Sequence, residues 1–189
     1  MQDKDTINPW QVLGSRQQYD NPWITVAEHQ VINPGGGRGI YGTVHFKNRA
    51  IGIVAMDDQG HIFLVGQYRF PLERYSWEIP EGGGPLEEAD PLESAKRELL
   101  EETGLKAARW DRLLELHLSN SVSDEYGLIY LARELTRHQA QPEETEQLTL
   151  KRLPFSAAYR MLEEGEITDS LTVSALLKVK IMILEGQLL

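Results

Sequence analysis

No cysteine occurs in this chain of 189 residues. That removes a disulfide framework, a thiolate zinc site and a cysteine nucleophile together. Long apolar runs are also missing. The most apolar late stretch, SALLKVKIMILEGQLL, carries Lys178 and Lys180 and is too short to span a bilayer, so it is expected to be a buried or interface helix. Positive charge is scarce: 19 Lys and Arg stand against 29 Asp and Glu, giving a net charge of -10. Binding to nucleic acid or to a membrane surface needs clustered Lys and Arg, so neither partner is expected. The N-terminus, MQDKDTINPW, lacks the apolar core of a signal peptide, from which a cytoplasmic location is expected. The five histidines, at 29, 45, 61, 117 and 138, show no zinc-ligand spacing, and neither a G-x-S-x-G elbow nor a Walker-type G-K-[ST] is present.

A hydrophobic content of 41% is enough for a core, and the length suits one domain with a small N-terminal extension. Strand patterns lie at Trp23 to Ile32 and Tyr41 to Phe46, with NPGGGRG between them, which predicts a hairpin with a long glycine loop. IGIVAMDDQGHIFLVGQYR reads as two apolar strands around the turn Asp57 to Gly60, and SWEIP, LLELHLS, GLIYLARE and LTLKRLP as further strands. Two helices follow: PFSAAYRMLEEG, stopped by Gly165, and one beginning at TDS, capped by Thr168 or Asp169. The expected fold class is α/β (α+β), an α/β/α sandwich with a mixed sheet. A small N-terminal antiparallel β-hairpin region (1–48), contributing to dimerisation, would precede the main domain (49–189).

The best defined element is the helix inside EIPEGGGPLEEADPLESAKRELLEETGL, Glu78 to Leu105. Asp90 is an N-cap acid, Pro91 fits the first helical position, Glu93 stands three residues after the cap, and Gly104 supplies a left-handed stop, which predicts a helix from Pro91 to Thr103. Leu92, Ala95 and Leu99 share the face that packs on the sheet, while Glu98, Glu101 and Glu102 share another. Acids on a helix are usually a solvated face. Here like charges at i and i+4 repel, by a few tenths of a kcal/mol per pair, and a divalent cation with oxygen ligands would offset that; Arg97 can pair with one acid and fix its rotamer. The run Gly82, Gly83, Gly84 is either a tight turn or a backbone loop that approaches a phosphate or offers a carbonyl to a metal.

Gly83 followed by RELLEETGL, Arg97 to Leu105, resembles the Nudix box, G-x5-E-x7-R-E-U-x-E-E-x-G-U with U aliphatic, at every defined position but one. The departure is Ala89, where the pattern has its first glutamate; Glu87 and Glu88 stand beside it. From Trp23 onward the chain is similar to the ADP-ribose and nucleotide-sugar pyrophosphatase branch. Gln67-Tyr68-Arg69 resembles that branch's Q-x-R, whose arginine contacts substrate phosphate, against a plain rim salt bridge for Arg69. SNSVSDE, Ser119 to Glu125, resembles the loop S-P-G-x-S-x-E, with Asn120 and Ser121 in place of its proline and glycine. EETEQL resembles the acidic loop E-x-E, matched by Glu144 and Glu146.

The resemblance implies hydrolysis of a diphosphate bridge into a nucleoside monophosphate and a sugar phosphate. Gly82 through its carbonyl, with Glu98, Glu101 and Glu102, would hold two or three Mg²⁺ ions, Mn²⁺ being the alternative, and Arg97 would support them. Glu144 is the first choice for the base, with Glu146 or Glu101 behind it, unless the acidic loop is only solvated. Trp23 and Tyr41 would clamp the nucleobase, one from each subunit of a homodimer in domain-swapped form, unless they are packing residues. Arg38 is a further substrate contact or simply part of a hairpin loop. The expected ligand is a nucleotide sugar such as ADP-ribose or GDP-mannose. The alternatives are a dinucleoside polyphosphate hydrolase and a non-catalytic Nudix module that senses a nucleotide.

Overall fold

Alternating apolar residues in two strands, a glycine-rich turn between them and a third strand paired alongside build the first part of the chain into a three-stranded antiparallel sheet. The computed structural model describes residues 7–139 and 147–188. The strands are β1 (Gln11–Asp20), β2 (Ile24–Ile32) and β3 (Arg38–Phe46), with β2 in the middle. The turn between β2 and β3 closes on Asn33, whose side-chain oxygen accepts from the N–H groups of Gly35 and Gly37. Residues 117–125 belong to the same compact unit as residues 1–48. Their loop is stitched to β3: Val44 N–H donates to Val122 O at 2.8 Å, and Asp124 Oδ1 accepts from Phe46 N–H at 2.9 Å.

The second unit holds residues 49–116 and 126–189. One sheet has the order β7-β4-β9-β8 and contains β4 (Asn48–Ala55), β7 (Glu81–Pro85), β8 (Leu105–His117) and β9 (Tyr126–Arg137). Its centre is the parallel pair β4 and β9, which explains why IGIVA and GLIYLA are continuous apolar runs rather than alternating ones. The other sheet, β10-β5-β6, is antiparallel and holds β5 (His61–Arg69), β6 (Arg74–Glu78) and β10 (Thr149–Pro154). β4 and β5 flank the expected turn at Asp57 to Gly60, yet beyond a single bridge, Met56 to Ile62, they run into different sheets.

Helix α1 (Pro91–Thr103) contacts β7 and β5, α2 (Phe155–Glu163) contacts β10 and β5, and α3 (Ser170–Leu184) contacts α2 and β9. The core joins Ile51, Ile53, Leu128 and Tyr130 from the four-stranded sheet to Ala95 and Leu99 of α1, with Leu92 packed at its edge. The glycine run departs from the expected loop or turn. It is strand β7, beside β4, because a backbone without Cβ atoms can lie close to both a neighbouring strand and a helix.

Leu99 has no exposed surface and sits in this core. Leu99→Ala should therefore lower the unfolding free energy by about 2–5 kcal/mol. Urea denaturation followed by circular dichroism measures it.

Candidate active site

The position of the acids on α1 follows from local signals at both helix ends. Asp90 accepts a hydrogen bond from Leu92 N–H, Pro91 occupies the first turn, and Gly104 closes the helix with φ of 66°, the left-handed region where a side chain is strained. Packing of Ala95 and Leu99 in the core fixes the rotation of the helix and turns Glu98 and Glu102 toward β7. Glu98 and Glu102 are buried, at 8% and 5% exposure, and Glu101 is half-buried.

Close approach of β7 makes this burial possible. A Cβ placed on Gly82 would lie 2.1–2.4 Å from the carboxylate atoms of Glu98, so a side chain there would push that carboxylate out of its place. Glu81 N–H donates to Glu102 Oε2 at 3.0 Å. Arg97 forks across the cluster, reaching Glu98 Oε1 at 2.6 Å, Glu101 Oε2 at 2.7 Å and the Gly83 carbonyl at 2.9 Å. One guanidinium thus fixes two of the three helix acids and the strand beside them. Burial acts to lower Arg97, but the charge and hydrogen bond of Glu98, then those of Glu101, outweigh it and raise its pKa. Carboxylates gathered beside the backbone of β7 form the oxygen-rich donor set that a hard divalent cation takes.

A second group of acids adjoins the first, and the sequence reading did not name it. Arg69 Nε lies 3.0 Å from both oxygens of Glu78, and its Nη2 reaches Glu78 Oε2 at 2.6 Å and Glu81 Oε1 at 2.7 Å. Oxygens of Glu78, Glu81 and Asp169 lie within 4.8 Å of one another. Burial first, then the charges of Asp169 and Glu78, push the Glu81 carboxyl well above the usual carboxylate range, with Arg69 acting against them. Burial disfavours the Arg69 cation, but the Glu78 hydrogen bond and the charges of Glu81 and Glu78 hold it above its ordinary value. Asp169 is the N-cap of α3, accepting from both the N–H and the hydroxyl of Thr172. The Thr172 hydroxyl oxygen in turn accepts from Ile79 N–H at 3.0 Å. Glu78 and Glu81 flank the Ile-Pro pair before the glycines, a signal available in the sequence; the reach of Asp169 is not local and leaves no such trace.

Beside Ala89 the chain is tied down by its neighbours. Glu88 Oε2 accepts from the Ser94 hydroxyl on α1, so the neighbouring acid holds the helix start from outside. Arg49 fastens the same segment by donating to the carbonyls of Pro85 and Leu86 at 2.8 and 2.6 Å.

Trp23, Tyr41 and Arg38 lie on the first unit. Trp23 is 64% exposed at the start of β2, whereas Tyr41 pairs with His29 farther along that strand, so a single chain does not bring the two rings together. Tyr41 instead meets Trp10 edge-on, with centroids 5.1 Å apart, and donates to the Ser121 carbonyl. Trp10, Tyr41, Val12 and Val31 line a cavity of about 280 Å³, in which His29 and Thr43 supply polar groups. Arg38 is exposed at the first position of β3. Glu144 and Glu146 lie outside the described residues.

Comparison with known proteins agrees with this geometry. The NUDIX domain family matches residues 46–173, and the family described as nucleoside diphosphate sugar hydrolase N-terminal domain matches residues 10–44. An ADP-ribose pyrophosphatase of Mycobacterium tuberculosis is 36% identical over 90% of this chain and 83% of its own length. Another of Bacillus subtilis is 33% identical over 67% of this chain and 69% of its own length. The crystal structure of an ADP compounds hydrolase superposes with a TM-score of 0.84 at 26% identity, covering 96% of this chain and 97% of that one. With two thirds of its length matched, and with the acids of α1 set against a glycine strand, this chain belongs to the NUDIX domain family.

Proposed function

We propose that the protein is a cation-dependent pyrophosphohydrolase that cleaves the diphosphate bond of a nucleoside diphosphate linked to a sugar, ADP-ribose or GDP-mannose being the leading candidates. The products are a nucleoside monophosphate and a sugar phosphate. One observation carries the reading: two buried carboxylates, Glu98 and Glu102, on the helix face beneath Gly82, with Arg97 pinning Glu98. The family matched over residues 10–44 and the names of the relatives support the substrate class.

Fit to a divalent cation rests on the donor set. Six acids, Glu78, Glu81, Glu98, Glu101, Glu102 and Asp169, share this region, and among the described residues two guanidiniums, Arg69 and Arg97, pair with four of them. Glu98, Glu102, Glu101 and the Gly82 carbonyl would hold two or three Mg²⁺ ions, or Mn²⁺ in their place. Bound there, the cation supplies Lewis acidity and charge neutralisation at the diphosphate. Arg97 keeps Glu98 in its ligand rotamer, and Arg69, oriented by Glu78, brings positive charge to a phosphate oxygen. Glu144 accepts the proton of the attacking water, with Glu146 or Glu101 as the reserve. Trp23 and Tyr41 would flank the base in a homodimer, with Arg38 as a further contact; exposed Val12, Leu13, Tyr19, Trp23 and Ile40 on the first unit support such pairing. Among the described residues, no helix is long and apolar enough to cross a membrane.

Chromatography of the products from ADP-ribose, GDP-mannose, ADP-glucose, UDP-glucose and diadenosine polyphosphates, with Mg²⁺ or with a chelator, tests the reaction. Nucleoside monophosphate and sugar phosphate should form, and the chelator should stop their release. Glu98→Gln and Glu102→Gln should each lose at least about a hundredfold in turnover while remaining folded; near wild-type rates in both would remove the assigned metal site. Gly82→Ala should displace the Glu98 carboxylate and weaken Mn²⁺ binding, measured by calorimetry. Glu144→Gln should lower kcat by about a hundredfold or more with Mn²⁺ affinity retained. An unchanged kcat would reassign the base.

A further inference from the structure

The feature left unexplained by the hydrolase reading is one oxygen of Glu81. Its Oε1 takes the Arg69 guanidinium at 2.7 Å, but its Oε2 is buried without a hydrogen-bond partner among the described residues. A buried acceptor left unsatisfied costs on the order of 1–3 kcal/mol, and more when charged. Anchoring Arg69 does not account for that cost, because Glu78 already holds the same guanidinium through both Nε and Nη2. The neighbours of Glu81 are also of the wrong sign for a settled ion pair: oxygens of Glu78 and Asp169 lie within 4.8 Å of it.

Its main chain is meanwhile tied to the acids of α1. Glu81 directly precedes Gly82, and its N–H donates to Glu102 Oε2 at 3.0 Å. We propose that Glu81 is a further carboxylate of this chain's cation site, supplied by β7 beside those of α1, with its buried Oε2 reserved for the metal. The proposal rests on the cation-dependent reading above. A hard divalent cation takes six or more oxygen ligands, and a carboxylate oxygen with no donor is suited to become one of them. The side chain then has two functions, one per oxygen: Oε1 keeps Arg69 in place and Oε2 meets the cation. The inference needs no substrate, so it is testable on metal binding alone.

Mn²⁺ binding to the intact protein without substrate, measured by calorimetry and by electron paramagnetic resonance, is the experiment, joined to thermal unfolding in chelator. Glu81→Gln should weaken Mn²⁺ binding about tenfold or more, or lose one equivalent. In chelator it should unfold no lower than the wild type, because the amide oxygen can still accept from Arg69 while the repulsion from Glu78 and Asp169 is gone. Wild-type stoichiometry and affinity would overturn the proposal and leave Glu81 as an anchor for Arg69 alone, and a lower unfolding temperature in chelator would overturn it as well. If Glu81→Gln does not fold, Glu81→Asp, which keeps the charge but withdraws the carboxylate by one methylene, is read by its Mn²⁺ binding in the same way. Glu98→Gln separates the two readings. Loss of Mn²⁺ binding there with none at Glu81 sinks only the present proposal, whereas no loss at Glu98 sinks the metal site itself.

Discussion

Two carboxylates one helical turn apart, set against the glycines of a neighbouring strand, set the terms for the rest of this molecule. Glu98 and Glu102 repel each other, and their burial removes the water that would have screened them. The surrounding structure answers that repulsion. Arg97 pairs with Glu98 from the same helix, the Glu81 N–H meets Glu102 from the strand, and α1 is capped at both ends and packed on the core. Glycine at position 82 leaves the carboxylate of Glu98 the space that a Cβ would take. The core on the opposite side of α1, built on Ala95 and Leu99, supplies the hydrophobic stabilisation that holds the acids in place.

The same constraint reconciles an acidic protein with an anionic ligand. A net charge of -10 would repel a diphosphate at long range, and Arg69 and Arg97 are both already committed to glutamates. A bound divalent cation inverts the local potential where the side chains alone would not. Arg97 is therefore better described as framing the acids than as part of a free basic patch.

What could be read in advance divides along the range of the interactions. Helix α1 was legible from Pro91 to Thr103 because its start and stop signals, Asp90-Pro91 and Gly104, act within a turn of the residues they control. The β2–β3 hairpin was legible for the same reason, through the glycine-rich turn after Asn33. β1 was not, since QVLGSRQQYD is exposed throughout and holds its register only by pairing with β2 around two irregularities. The glycine run was read as a loop or turn, because a strand without side chains has no pattern to detect. Glu78 and Glu81 were in plain view, but Asp169 and Thr172 meet that segment only after the chain has made two further helices, and that meeting is what reveals the second acid group.

The hydrogen bond from Ile79 to Thr172 bears on how the protein is made. Synthesis proceeds from the N-terminus, and early segments begin to fold before later ones exist. The strand end that carries Glu78 and Glu81 emerges with α1, yet its N–H partner and the neighbouring Asp169 belong to the start of α3, the last of the described elements. A nascent chain can thus form the box helix and its core contacts while the acid cluster still lacks its final member. Chains interrupted before α3 would carry a recognisable box but an incomplete cluster. Assembly of the acid cluster is thereby tied to the arrival of α3 rather than to the folding of α1.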